Sequence, residues 1–366
     1  MLSSMTAEIG QRVAGLLPEG RTQREVAADV GMTPDAFSRA LRGERGFAAI
    51  ELAKLADVLG ADLHFLITGA PDPNRVVASA RHSFDQETRQ HHIPGKDVDL
   101  PQLEAVLLAY EQVQGDLPNS SVPTSLSEAR AALGDGFIRP FADRLDALGI
   151  DVVRLGDLTS AYSFWFGGRA VIVLKATGNW FWENWSLAHE LGHLTTQADD
   201  IERGRGIERT SNERDANAFA AELLLPAEWM RSVDWASASE AQVASYVWDR
   251  GVSIDALAKR VAALHLTTSK NLELWMGQPT QRLLRRRWTA TEPGDPITAR
   301  MDAASTRRFP LSLQDAHLAR IADGKVRKDT LAWMLGVDPT ELEVDEPSDE
   351  TTLTSDALSD LLGLGV

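Results

Sequence analysis

The stretch Ser186-Leu187-Ala188-His189-Glu190-Leu191-Gly192-His193-Leu194 contains the pattern His-Glu-x-x-His within a helical distribution of apolar residues. Residues four apart lie on one face of a helix, so His189 and His193 can direct imidazole nitrogens to one ion. Glu190 lies about 100° round the helix, where it can take a proton from water without occupying a coordination position. The pattern predicts that His189 and His193 are metal ligands and that Glu190 is the catalytic base. The alternative is an ordinary amphipathic helix with two chance histidines.

A second segment, residues 212–226, is a strong helix former that ends at a proline. Glu213 and Asn217 are four residues apart in it, so a carboxylate ligand and a supporting polar group can share one face. Two histidines and one glutamate leave a fourth position for water, which is typical of catalytic zinc sites. Glu213 could instead be a helix-start carboxylate that opposes the helix dipole. Three other carboxylates compete for the role of third ligand: Glu208, Asp215 and Glu222.

Both segments resemble the ImmA/IrrE metallopeptidases, in which a helix of the form x-L-A-H-E-L-G-H precedes one of the form E-x-x-A-N-x-F-A-x-x-L-L-x-P. The match is nearly complete over residues 185–226 and looser over residues 103–266. The resemblance implies a zincin-like fold that binds one Zn²⁺ per chain, with Glu213 as third ligand and Asn217 beside it. Other divalent ions are compatible with two histidines and one carboxylate. The aromatic lead Trp180-Phe181-Trp182-Glu183-Asn184-Trp185 departs from the family's usual polar one.

The same resemblance implies a specific protein substrate, such as a helix-turn-helix repressor or antitoxin. Its cleavage would switch transcription of a stress-response, mobile-element or toxin-antitoxin operon. Our leading hypothesis is therefore a zinc-dependent regulatory endopeptidase. The second hypothesis is a transcriptional regulator or antitoxin in which the peptidase fold is a non-catalytic sensor or partner-binding surface.

The amino-terminal residues 23–43 predict a helix, a glycine turn and a second helix. Thr33 suits the N-cap and Pro34 the first position of the second helix, and Ala27 can pack against Phe37. Over about 60 residues this region resembles the helix-turn-helix of phage-repressor-like (XRE-type) regulators. The resemblance implies that the second helix contacts DNA through a short set of residues: Thr33, Pro34, Asp35, Ser38, Arg39 and Arg42.

The charge of this region argues against strong DNA binding. Residues 1–70 contain seven basic and nine acidic side chains, so they gain little sequence-independent affinity for DNA. Binding would then require a homodimer, or it has been lost. The alternative is a helical domain that docks a protein partner.

The whole chain is expected to have an α+β fold that is mainly helical. We divide it into an all-α helix-turn-helix domain (1–70), a linker (71–102), a zincin-like domain (103–278) and a helical C-terminal region with an acidic tail (279–366). The residues from 150 to 175 are rich in β-branched and aromatic side chains, which predicts a small twisted sheet with a hairpin near Gly167. If residues 169–176 form an edge strand, an extended peptide could add to them.

The composition excludes several classes of site and suggests a cellular location. The chain has no cysteine, so any metal must be held by histidine and carboxylate. Its net charge of −16 opposes non-specific binding to nucleic acid. The Arg-rich stretch 282–308 could pair with the acidic stretch 338–366. Without a long apolar run or a signal-peptide pattern, a cytoplasmic protein with no membrane association is expected.

Overall fold

The computed structural model describes residues 2–18, 20–70, 76–80, 83–84, 91–92, 96–202, 213–290 and 294–347. It confirms an α+β class that is mainly helical with a small mixed sheet. The strands are β1 (Val76–Ala80), β2 (Ser83–Phe84), β3 (His91–His92), β4 (Asp151–Leu155), β5 (Tyr162–Phe166) and β6 (Arg169–Lys175). Among the described residues, no helix combines the length and apolar character needed to cross a membrane.

The helices are distributed along the whole described chain. Those before strand β4 are α1 (Leu2–Gly15), α2 (Gln23–Val30), α3 (Pro34–Leu41), α4 (Ala49–Leu59), α5 (Leu63–Thr68), α6 (Lys96–Gln112), α7 (Leu126–Leu133) and α8 (Phe141–Ala147). Those after it are α9 (Trp180–Glu202), α10 (Glu213–Leu224), α11 (Ala227–Ser232), α12 (Glu240–Arg250), α13 (Ile254–Ala263), α14 (Lys270–Trp275), α15 (Thr280–Arg287), α16 (Pro296–Ser305), α17 (Leu311–Ala322) and α18 (Asp329–Leu335).

Helices α1–α5 enclose a small apolar core of their own. Ala27 and Phe37 are fully buried in it, as expected from their positions. Gly31 ends α2 in the left-handed conformation, and Thr33 caps α3 by accepting a hydrogen bond from the Ala36 amide. The two predicted helices and the turn between them are therefore present.

The main sheet has the strand order β1-β5-β6-β4. Strands β5 and β6 are antiparallel and form the predicted hairpin, in which Gly167 has a positive φ of 57°. Strand β6 also pairs in parallel with β4, so it is a central strand. The expectation that residues 169–176 form an edge strand is therefore wrong. The reason lies in the sequence, because Ala170–Leu174 is a continuous buried apolar run, which is typical of a strand covered on both faces.

Strand β1 lies within residues 71–102, the stretch interpreted as a linker from the sequence. It pairs antiparallel with the outer edge of β5 over five residues, with Ser79 opposite Ser163. Helix α6 also begins inside this stretch, at Lys96. Part of the segment after the first five helices thus belongs to the sheet.

Side chains alternate between the two faces of the main sheet, and helices cover each face. On one face Trp165 and Ile172 pack with α9, and on the other Phe164 and Val173 pack with α6 and α17. Each face also contains a buried ion pair. Arg154 contacts Glu183 on the α9 side, and Arg169 contacts Asp151.

Arginines of the stretch 282–308 form ion pairs with acidic residues that lie outside the acidic tail. Arg285 pairs with Asp295, Arg287 with Glu240, and Arg308 with Asp143 and Asp146. Arg308 also forms a backbone bridge with Arg154 at the outer edge of β4. Residues 348–366, the end of the acidic tail, lie outside the described residues.

Candidate metal centre

Helices α9 and α10 carry the predicted metal site and pack closely against each other. Gly192 makes this approach possible, because a Cβ at that position would lie 3.1 Å from Phe219 Cβ and 3.2 Å from Ala216 Cα. A larger residue would push the two helices apart by a few tenths of an ångström. The glycine between the two histidines therefore positions Glu213 relative to them.

His189, His193 and Glu213 form a group that could hold a metal ion. The two Nε2 atoms are 3.1 Å apart, Glu213 Oε2 lies 3.3 Å from His189 Nε2, and Glu213 Oε1 lies 3.5 Å from His193 Nε2. Ligand atoms about 2.0–2.2 Å from a tetrahedral zinc ion lie about 3.3–3.6 Å from one another. The three side chains therefore fit one face of a zinc tetrahedron, and the fourth corner is left for water or substrate.

The electrostatics of the three side chains also suit a cation. Both imidazoles are buried, while one quarter of the Glu213 side chain is exposed. Burial alone would raise the pKa of Glu213, but its hydrogen bonds to His189 and His193 outweigh this effect and hold the pKa well below the usual range. Glu213 therefore stays ionised and supplies the negative charge that a divalent ion requires.

Glu190 is fully buried next to the ligand set. Its Oε2 accepts a 2.7 Å hydrogen bond from Ser163 Oγ on β5, and its Oε1 has no partner among the described residues. One carboxylate oxygen is therefore fixed to the sheet, and the other is not engaged by any described residue. Ser163 was not among the residues predicted from the sequence, in which the only signal is a polar residue within the aromatic segment Tyr-Ser-Phe-Trp-Phe.

Asn217 supports one of the histidines. Its Oδ1 lies 3.2 Å from His189 Nδ1, and its Nδ2 donates to the Glu213 backbone carbonyl at 2.7 Å. The second contact orients the amide so that Oδ1 accepts from Nδ1–H. With Nδ1 held by Asn217, Nε2 is the ring nitrogen of His189 that is directed at the ion position.

The competing carboxylates have different surroundings. Glu222 is held by Arg130 and Arg260 and accepts a hydrogen bond from the Ala227 amide. Asp215 is exposed. Neither belongs to the potential ligand group found among the described residues, and Glu208 lies outside those residues.

The candidate DNA-contacting residues lie along one short helix and the turn after it. Pro34, Asp35 and Arg39 are exposed, but Thr33 uses its hydroxyl as the α3 cap. Arg42 donates to Ser38 Oγ at 2.6 Å and to the Glu44 carboxylate at 2.7 Å. Arg39 lies 3.9 Å from the same carboxylate. Glu44, which was not among the residues predicted to contact DNA, therefore offsets the positive charge of this surface.

Together, the sheet, the α9–α10 pair and the His-His-Glu group define an α+β protein with a potential divalent-metal site next to a buried glutamate. Comparison with family models agrees with this class: residues 145–262 match Peptidase M78, the IrrE N-terminal-like domain. The match covers about a third of the chain, from the end of α8 to α13, and supports the ImmA/IrrE resemblance for that part. Neither the curated proteins nor the solved structures give a significant match.

Proposed function

We propose that this protein is a zinc-dependent endopeptidase with a regulatory role, joined to an amino-terminal DNA-binding domain. The observation that carries this proposal is the His189, His193 and Glu213 group beside the buried carboxylate of Glu190. A structural zinc site would use four protein ligands, whereas three ligands and a nearby acid are typical of hydrolysis. The family match over residues 145–262 supports the same class.

The reaction requires a Lewis acid and a group that carries a proton. Zinc, when bound, would lower the pKa of water toward about 7 and polarise a peptide carbonyl. Glu190 takes the proton of the attacking water on Oε1 while Ser163 holds Oε2 in place. Glu190 then returns that proton to the leaving amine, so the base is regenerated after each turnover.

The proposed substrate is a specific protein of the helix-turn-helix repressor or antitoxin type, cytoplasmic like the enzyme, whose cleavage changes transcription. Binding of DNA by residues 1–70 would bring the peptidase to the operator on which such a repressor sits. The direct test is to incubate the zinc-loaded protein with helix-turn-helix proteins encoded beside its gene. Specific cleavage that disappears in the metal-free protein supports the proposal.

Replacing Asn217 by alanine should weaken zinc binding by about 10- to 100-fold. The variant removes the acceptor for His189 Nδ1, so the ring is free to rotate and to change tautomer. Competition with a chromophoric chelator measures the zinc affinity. Asp215→Asn is the matched control on the same helix, and its zinc affinity should equal that of wild type. A loss of zinc affinity in Asp215→Asn, with none in Asn217→Ala, would assign the third ligand to Asp215.

A protein substrate that adds a strand next to Glu190 has to use the outer edge of β5. That edge pairs with β1, whose Ser79 lies opposite Ser163, the residue that holds Glu190. Substrate and β1 would therefore compete for the same backbone groups. The double variant Val77→Pro/Ala78→Pro should raise the initial cleavage rate several-fold. Proline has no amide hydrogen, and one of two successive residues in a strand must donate toward β5.

The control for this experiment is a proline pair outside β1, at Thr354 and Ser355 in the carboxyl-terminal stretch. Initial rates for both variants are compared at equal zinc content and with matching circular dichroism spectra. An unchanged rate in the Val77→Pro/Ala78→Pro protein would show that β1 does not obstruct the substrate.

Glu44→Gln should raise the affinity for duplex DNA by about 1.4- to fivefold, since an exposed ion pair contributes roughly 0.2–1 kcal/mol. The change frees Arg39 and Arg42 from a competing carboxylate. Fluorescence anisotropy with operator DNA at fixed salt measures the affinity. Asp323→Asn breaks the exposed ion pair with Lys325 and makes the same charge change just after α17. Equal gains in both variants would indicate only a general effect of net charge.

A further inference from the structure

A cavity of about 400 Å³ lies between the first turns of α9 and helix α16. Its walls come from the segment before α8, from β4, from the start of α9 and from the C-terminal region. This volume is within the range of small-molecule sites, which is about 300–1,000 Å³. The cavity contacts the start of α9, which precedes His189 and His193 along the helix. The proposed peptidase reaction does not use it.

Arginine dominates the charged lining of this cavity. Four arginines line it, against two acidic residues. Arg154 is paired with Glu183, and Arg308 with Asp143 and Asp146. The remaining two are Arg139 and Arg300, and only Arg139 has an ion pair among the described residues, a 3.6 Å contact with the exposed Asp249.

The guanidinium of Arg300 packs against two tryptophan rings. Its guanidinium lies 4.5 Å from the ring centre of Trp180 and 3.9 Å from that of Trp248. Both terminal nitrogens are buried and have no hydrogen-bond partner among the described residues. Burial, and then the charge of Arg139, lower the pKa of Arg300 to about 9, and the charge of Asp249 offsets this shift only in part. Buried charged donors in proteins normally have a hydrogen-bond acceptor. An acceptor for the Arg300 guanidinium is therefore expected from a bound ligand.

We propose that the cavity binds a small oxyanion, a carboxylate or a phosphate group, that accepts hydrogen bonds from Arg300 and Arg139. A bound anion would neutralise two like charges and provide acceptors for the buried donors. Trp180 and Phe141 give the cavity apolar walls, so the ligand can be an organic anion of modest size. Glu183 and Asn184 of α9 also line the cavity, so the ligand would contact the same helix that carries His189 and His193.

The test is isothermal titration calorimetry of the full-length protein with inorganic phosphate and, separately, with citrate in a low-chloride buffer. Saturable binding of either anion to wild type is expected, and Arg300→Gln should weaken it by at least about tenfold. Arg286→Gln removes the same charge from an exposed position on α15 and should bind like wild type. Binding of phosphate alone or of citrate alone identifies which oxyanion the cavity prefers.

A second variant keeps the result interpretable if Arg300→Gln does not fold. Arg139→Gln lies on an exposed segment and should also weaken the binding of the same anion. Failure of both anions to bind wild type at millimolar concentration would overturn the proposal. Equal binding by Arg300→Gln, Arg139→Gln and Arg286→Gln would overturn it as well, because the heat would then come from a site elsewhere.

Discussion

Replacing Glu190 by glutamine is expected to lower the rate of substrate cleavage by about 10²–10⁴-fold, the usual contribution of general acid–base catalysis. Glutamine has nearly the same size, and its carbonyl oxygen can still accept the hydrogen bond from Ser163. It has no carboxylate oxygen to take a proton from water. Zinc should remain bound at about one ion per chain, since the three proposed ligands are unchanged.

The measurement compares initial rates of cleavage of neighbouring helix-turn-helix proteins, with zinc quantified in every preparation. Glu228→Gln, which neutralises an exposed carboxylate on α11, is the matched control and should cleave like wild type. Equal cleavage by Glu190→Gln and wild type would remove Glu190 from the mechanism. Zinc binding without cleavage of any candidate by wild type would favour the sensor hypothesis, and absence of zinc would contradict the ligand assignment.

Local periodicity was sufficient to predict the parts of the structure that depend on neighbouring residues. The spacing of His189 and His193 places both imidazoles on one helix face, and the helix-forming residues after Asn212 place Glu213 at the start of the next helix. The caps at Gly31 and Thr33 are likewise local features. In each case a few adjacent residues determine the geometry, so no knowledge of distant contacts was required.

The sequence could not specify contacts between distant segments. The apolar character of β6 was evident from the sequence. Its two neighbours in the sheet, β4 and β5, were not, because strand order depends on contacts between separate segments of the chain. The pairing of β1 with β5 is a contact across more than eighty residues, in a stretch whose composition resembles a linker. Arg300 becomes unusual only because α16 places its guanidinium against both Trp180 and Trp248. Such long-range arrangements follow from tertiary packing and not from local pattern.

Asp151→Ala is expected to lower the free energy of unfolding by about 3–5 kcal/mol, because it leaves a buried charge without its partner. Asp151 is fully buried, and its carboxylate accepts hydrogen bonds from Arg169 Nε at 2.9 Å, Arg169 Nη2 at 2.5 Å and the Tyr110 hydroxyl at 2.8 Å. These contacts connect β4, β6 and α6 at one end of the sheet. Urea denaturation followed by circular dichroism measures the change.

Two further variants separate the cost of an unpaired buried charge from the net contribution of the ion pair to the free energy of unfolding. Asp323→Ala breaks an exposed pair with Lys325, in which both side chains are more than half exposed, and should cost at most about 1 kcal/mol. Asp151→Leu combined with Arg169→Met removes both buried charges, so it should recover much of the stability that Asp151→Ala loses. If the double variant is as unstable as Asp151→Ala, the unpaired guanidinium is not the main cause of the lost stability. The hydrogen bond of Tyr110 to Asp151 and the packing of these side chains would then be what holds the sheet against α6.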